Sequence, residues 1–184
     1  MSAGKSLKGK LLFSTPSLFD PNFRRTVILL GEHSDDGAMG LVLNRPSETT
    51  VGDAAPGLAD VAGFDAPVYI GGQVQPTAVL ILGEFVDASA AAGLVVGDVG
   101  FARADGDLDD LGTATRRARV FAGYSGWGPG QLEVELEESS WLVEPAEGVD
   151  LFLEPGDDLF GTALRRKGGS YRLLATMPED PRQN

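Results

Sequence analysis

The densest chemistry in the sequence lies between Gly123 and Glu133, GYSGWGPGQLE. Ser125 stands there in a frame close to G-x-S-x-G, the elbow that holds a nucleophilic serine on a strained strand-to-helix turn. The frame fails at its last position, where Trp127 puts a large side chain in place of glycine. A serine nucleophile also needs a base, and His33 is the chain's only histidine. It precedes Ser125, an order unlike that of the hydrolases built on such elbows. A second enzymatic reading, a hydrolase-like one, sets His33 beside a carboxylate such as Glu133, near the backbone amides of the glycine turn. General acid–base work requires those groups within hydrogen-bond reach. Neither constellation is complete in the sequence, so no residue is assigned a catalytic role.

Metal and nucleotide chemistry fare no better. With one histidine and no cysteine, only carboxylate sites suited to magnesium or calcium remain. Asp105, Asp107 and Asp109 have the alternate spacing of a calcium loop, but Asp110 stands in place of its glycine and Arg116 in place of its closing glutamate. A solvated acidic turn accounts for them. There is no G-x-x-x-x-G-K-[ST], and Gly126, Gly128 and Gly130 have the wrong spacing for G-x-G-x-x-G. No metal and no cofactor are expected. What the residues support is a binding surface for a protein partner or small ligand. It would be built from Tyr124, Trp127, Gln131 and Glu133 on the rigid glycine turn, with Asn44, Arg45, Gly71 and Gly72. The competing account places Trp127 and Trp141 in the core, with the glycines making room for them.

These residues need a scaffold, and the composition says which kind. A chain of 184 residues with 42% hydrophobic content is the size of one domain, and such a chain buries roughly 70% of its unfolded surface. We expect a flexible segment over 1–9, a domain over 10–176 and a tail over 177–184. The absence of cysteine excludes disulfides, thiolate metal sites and cysteine nucleophiles, and is compatible with a cytoplasmic protein. Lys5, Lys8 and Lys10 precede only Leu11, Leu12 and Phe13 before Ser14 and Pro16, too short a run for a signal peptide. No stretch approaches the ~20 apolar residues of a membrane span. The net charge of −12 and pI near 4.4 repel phosphate backbones and anionic headgroups, which argues against direct nucleic-acid or membrane binding. Basic clusters at Arg24-Arg25, Arg116-Arg117 with Arg119, and Arg165-Arg166-Lys167 are the exceptions. Solvated surface charge explains them most simply, although folding could gather some on one face.

Along the chain, strands come first and helices late. Leu11 to Phe13 reads as a strand, and Thr26 to Leu30 as one buried on both faces. The Asp35-Asp36-Gly37 turn joins the latter to Ala38 to Leu43 in a hairpin, which Asn44-Arg45-Pro46 ends. Thr50 to Asp60 is weakly helical, interrupted at Pro56 and Gly57. Pro67 to Ile70 and Ala78 to Leu82 form a second hairpin-like unit across GGQVQPT. Leu94 to Val96 and Val99 to Phe101 are short strands, and Leu108, Leu111, Ala114 and Ala118 fit one helical face. Val120 to Tyr124 is a strand entering the glycine turn, which Pro129 opens into a helix rich in glutamate. Trp141 to Val143 and Val149 to Leu153 read as strands, Gly156 to Lys167 as a helix, and Tyr171 to Ala175 as a last strand. Without regular strand–helix alternation, the class is α+β with mainly antiparallel sheet.

Three separated stretches carry a resemblance: GKLLFSTPSLFDPNFRRTVILLGEHSDDGAMGLVLNRP near the start, VYIGGQV in the middle and FAGYSGWGPGQLEVELEESSWL later. Together they resemble the YqgE/AlgH family of bacterial proteins, in the same order and from about Gly9 to about Ala175. The resemblance implies a single α+β domain of coiled, partly barrel-like antiparallel sheet with packed helices. It implies no known activity. The family's label as a transcriptional regulator comes from association with alginate production, not from a recognisable DNA-binding module. The matching positions are Phe23, His33, Gly40, Asn44-Arg45-Pro46, Gly71-Gly72, Gly126-Trp127, Pro129-Gly130-Gln131-Leu132 and Trp141. The chain departs at Gln73, where proline commonly follows the glycine pair, and at Phe160, where tryptophan is frequent.

Overall fold

The structure, a computed structural model, describes residues 5–18, 20–176 and 178. The apolar runs read from the sequence become the centre of one curled, ten-stranded half-barrel sheet. β1 (Lys10–Ser14), β2 (Val27–Ser34) and β3 (Gly37–Val42) lie side by side and antiparallel, β2 and β3 joined by the expected hairpin. Their side chains alternate between two apolar layers. Leu11, Phe13, Val27, Leu29 and Leu41 face one core, while Leu12, Ile28, Leu30 and Val42 face another. Burial on both faces is why these strands read as continuous apolar runs in place of an alternating pattern.

After β3 the chain makes β4 (Pro46–Thr50), the short helices α1 (Val51–Ala54) and α2 (Ala59–Ala62) around a 3-10 turn at Pro56–Leu58, and β5 (Pro67–Ile70). β4 was not legible beforehand, since PSETT has neither an apolar run nor clear alternation. Next come β6 (Val74–Phe85), β7 (Ala91–Val96), β8 (Val99–Ala102), α3 (Leu108–Ala114) and the longest strand, β9 (Thr115–Trp127). Ala118 belongs to β9 and not to the helix, because α3 ends at Ala114 and Thr115 is already extended. The chain finishes with α4 (Gln131–Glu137), β10 (Trp141–Pro145), α5 (Leu159–Lys167) and α6 (Tyr171–Ala175). The strand order is β10-β1-β2-β3-β9-β6-β8-β7, with β4 and β5 attached beside β9.

Two expected strands are helical. Of the run Val149 to Leu153, Val149 to Phe152 lie in a 3-10 turn, Gly148–Phe152, fixed by reciprocal capping between Glu147 and Asp150, and Leu153 is the extended residue that ends it. Tyr171 to Ala175 is α6, packed on α5 after both Gly168 and Gly169 take positive φ and reverse the chain. A short apolar run cannot be told from a buried helical turn by periodicity. Of the expected terminal segments, 1–4, 177 and 179–184 lie outside the described residues. The Leu7 and Gly9 amides are bonded to His33 Nδ1 and the Leu30 carbonyl, and the Pro178 carbonyl accepts from Arg24 Nε at 2.8 Å.

The second expected hairpin does not form, and the reason organises the molecule. β5 runs parallel to β9 with Tyr69 opposite Phe121 and Ile70 opposite Ala122. β6 runs antiparallel to the same strand, with Leu80 opposite Phe121 and Val79 opposite Ala122. The two strands therefore occupy opposite edges of β9, and the chain between them crosses its face. Gly71 is wedged between β3 and β9: its amide donates to the Ala122 carbonyl at 3.0 Å and its carbonyl accepts from Val42 at 2.9 Å. A Cβ on Gly72 would lie 2.1 Å from the Tyr124 carbonyl, and one on Gly123 would lie 2.5 Å from the Gly72 oxygen. Gly123 also holds φ +69°, a conformation that L side chains rarely adopt.

Gly72→Ala is expected to destabilise the protein by about 4 kcal/mol or more, or to prevent folding, because backbone and not a yielding side chain meets the new methyl. Gly93→Ala, in β7 with nothing within 4 Å of the added atom, should stay within about 0.5 kcal/mol of wild type. Urea denaturation of both variants checks this, and equal midpoints would show that the crossing relaxes freely.

Candidate functional site

The eight residues singled out in the sequence go to three places. Gly71, Gly72 and Tyr124 form the crossing just described. Around the central turn, β9 runs through Trp127, Gly130 takes φ +73° and α4 begins at Gln131. Gln131 closes the turn by accepting from the Gly128 amide at 3.1 Å and donating to Glu135 at 3.1 Å. Glu135 Oε2 accepts from both indoles, Trp127 at 2.9 Å and Trp141 at 2.7 Å. The rings meet edge-to-face at 6.2 Å, and Trp127 is 7% exposed. The glycine turn thus seats two buried tryptophans on one carboxylate. Ser125, also buried, donates to the Gly71 carbonyl at 3.2 Å.

His33 and Glu133 are brought together, with Nε2 2.7 Å from Oε1. The Leu7 amide donates to His33 Nδ1 at 2.9 Å, so the hydrogen-bond network assigns the imidazole proton to Nε2. The His33 bond, followed by a backbone bond, holds the Glu133 carboxyl below its usual range against a small opposing effect of burial. Both ring nitrogens are thereby used in tying the N-terminal segment and α4 to β2.

Asn44 and Arg45 lead somewhere else, to a cleft of about 990 Å³. Asn44 bridges two strand connections, accepting from the Val27 amide at 3.1 Å and donating to the Arg25 carbonyl at 2.7 Å. Arg45 donates to the Arg24 and Asn44 carbonyls and to Thr26 Oγ1, and its own carbonyl accepts from Ile70, which fixes it beside β5. Across the cleft, Arg119 stands two positions before Phe121 on β9 and so shares the face of Tyr69, which is registered with Phe121. Its guanidinium carbon lies 4.7 Å from the Tyr69 ring centre and 5.8 Å from that of Phe152, and it donates to the Leu153 carbonyl. Burial pushes the Arg119 guanidinium down and the Tyr69 phenol up from their ordinary values.

Arg24 and Arg25 complete the basic lining. Arg25 pairs with Asp158 at 2.7 Å and lies over Phe160, its guanidinium carbon 4.8 Å from the ring centre. Asp158 also caps α5 by accepting from the Gly161 amide at 2.9 Å. Burial opposes its charge, but that amide with Arg25 and Arg165 holds the carboxyl below its usual range. Glu154 and Asp157 line the mouth and are exposed. The sequence showed the Arg24-Arg25 and Arg116-Arg119 clusters, but not that Arg119 alone of the second would join Arg24 and Arg25 at one cleft. Tyr69 carried a strand signal within Pro67 to Ile70 but none for a site.

The curled half-barrel fold is one that solved proteins share. The chain belongs to the AlgH-like family (DUF179), whose model matches residues 11–172. It is 40% identical to a UPF0301 protein of Streptomyces coelicolor, over 100% of this chain and 98% of that one. A Mycobacterium ulcerans UPF0301 protein is 41% identical over 96% of this chain and 90% of its own. Among solved structures, a Corynebacterium diphtheriae protein superimposes with TM-score 0.83 at 29% identity, covering 96% of this chain and 95% of that one. The AlgH protein from Pseudomonas aeruginosa gives 0.74 at 31% identity, covering 97% of each. No helix of the described residues is long and apolar enough to cross a membrane, and no three potential ligands among them cluster for a metal.

Glu135→Leu should destabilise the protein by about 2–4 kcal/mol, since it leaves two buried indole donors without their acceptor. A loss below about 1 kcal/mol in denaturant titration would show that water replaces the carboxylate and that the turn is open to ligands. For Glu133 the lowered folded-state pKa means that the His33 bond stabilises the fold above the ordinary carboxylate value. That contribution is lost as pH falls through the lowered value. Glu133→Gln should therefore be less stable than wild type at pH 7 by at most about 1 kcal/mol, and the gap should close on acidification. A pH-independent gap in thermal melts would contradict this.

Proposed function

We propose that the chain works by binding and not by catalysis, taking a small ligand into the cleft beside Asn44 and Arg45 and serving a regulatory role through it. The observation that carries this reading is the convergence of Asn44, Arg45, Arg24, Arg25, Arg119 and Tyr69 on one concavity of about 990 Å³. Concave sites of this size, with a few convergent polar groups, are where small molecules bind. A protein partner would be better served by a protruding or flat surface. The chemistry that an enzyme would need is occupied elsewhere: Ser125 is bonded to a carbonyl and both nitrogens of His33 are engaged. The charge of −12 opposes direct DNA binding, and a cysteine-free chain suits a reducing cytoplasm.

Pro155 lies exposed at the mouth of the cleft, so Pro155→Trp should obstruct entry without touching the lining arginines. Wild type and this variant would be captured from a bacterial lysate and weighed by native mass spectrometry. Wild type is expected to carry an added small mass that is absent from the variant. A mass retained equally by both, or a protein partner retained by both with no small mass on either, would overturn the reading.

A further inference from the structure

We propose that the floor of the cleft is an oxyanion site, in which Arg119 and the Tyr69 hydroxyl receive the carboxylate or phosphate group of a small ligand. The proposal rests on the ligand-binding reading above and names the chemistry of its ligand.

Tyr69 is 3% exposed and lines the cleft, yet its hydroxyl makes no hydrogen bond with any described residue. No fully enclosed side-chain nitrogen or oxygen of the described residues lacks a partner. The hydroxyl is therefore not sealed in the core and must reach the cleft space. A buried phenol normally finds a partner for its O–H, and an oxyanion at the floor would supply one.

Arg119 borders the same space. Its guanidinium has five N–H donors, and the Leu153 carbonyl is the one acceptor that the described residues give it. No carboxylate lies within ion-pair distance of it or of Arg24 among the described residues. A half-buried guanidinium with most donors uncommitted is matched by a planar or tetrahedral oxyanion, which accepts two parallel N–H bonds. The arrangement of charge agrees. The arginines are half-buried, whereas Glu154, Asp157 and Asp158 are exposed at the rim. Water screens the acids more than the bases, and Asp158 is committed to Arg25 and the start of α5. An anion entering the cleft thus meets acids in water and bases out of it.

Carboxylate and phosphate share this chemistry, and the test separates them. Inorganic phosphate and acetate would each be titrated by calorimetry into wild type, Tyr69→Phe, Arg119→Lys and Arg116→Gln in Tris chloride at low salt. Tyr69→Phe keeps the ring that packs under Arg119 and removes only the hydroxyl. Arg119→Lys keeps the charge and removes the fork. Arg116, exposed and paired with Asp98 at 3.9 Å on another part of β9, controls for the general field.

We expect at least one anion to saturate wild type at one site, with binding weakened about tenfold in Tyr69→Phe and in Arg119→Lys and unchanged in Arg116→Gln. The anion bound more tightly identifies the group. Equal binding by wild type and Tyr69→Phe, an equal loss in Arg116→Gln, or no binding of either anion would overturn the proposal. A neutral or cationic small molecule carried by wild type and lost in Pro155→Trp would overturn it while leaving the cleft as the binding site. Absence of any small molecule in both experiments would overturn both.

Discussion

Two backbones lie against each other where residues 71–73 pass over β9, and only missing Cβ atoms at Gly71, Gly72 and Gly123 permit the contact. The rest of the sheet depends on it. β9 pairs with β3 at one end and with β5 and β6 on its two edges further along. If the crossing opened, β5 and β6 could not flank the same strand, and the ladder joining the two ends of the half-barrel would fail. The cleft depends on it too. Tyr69 is two residues from Gly71, and its alignment with Phe121 is what places it diagonally from Arg119.

The molecule separates its charges by depth. It carries a large negative excess overall, and its acids stand mostly in solvent at helix starts and loop tips. Asp53, Asp109 and Asp110 occupy first turns of helices, where the helix dipole favours them. The arginines of the cleft are held by backbone carbonyls and by aromatic faces at Phe160, Tyr69 and Phe152. Guanidinium tolerates such half-dry surroundings better than ammonium, being planar and weakly hydrated. An acidic protein can in this way present a basic interior surface without a basic exterior.

Much of the scaffold was legible because its signals are local. The β2–β3 hairpin follows from two apolar runs around Asp-Asp-Gly, and the start of α4 follows from Pro129 and Gly130 ahead of a glutamate-rich stretch. The α+β class, read from the order of elements, holds. What escaped is non-local or short. The Gly71-Gly72 pair was visible as part of a link between two strands, but the strand that it crosses is far along the chain, Gly71 and its partner Ser125 being 54 residues apart, and no periodicity encodes that. α6 and the 3-10 turn before Leu153 were misread because short, mostly apolar segments such as YRLLA and VDLFL suit strand and helical turn alike. The site divides in the same way. Asn44 and Arg45 do line the cleft, whereas Trp127 was conspicuous because it is buried in a core and Gln131 because it closes the exposed turn beside it. Tyr69 and Arg119 owe their meeting to a parallel register that the sequence does not announce.

The crossing also has a bearing on how the protein is made. Gly71 and Ser125, joined across it, are 54 residues apart, and the strand that belongs beneath the crossing is synthesised after the segment that spans it. Until β9 emerges from the ribosome, β3, β5 and β6 have no common neighbour, and the apolar faces prepared by the first hundred residues stay open to water. The nascent chain must then admit its central strand between edges already synthesised, so its period of greatest exposure comes late in translation.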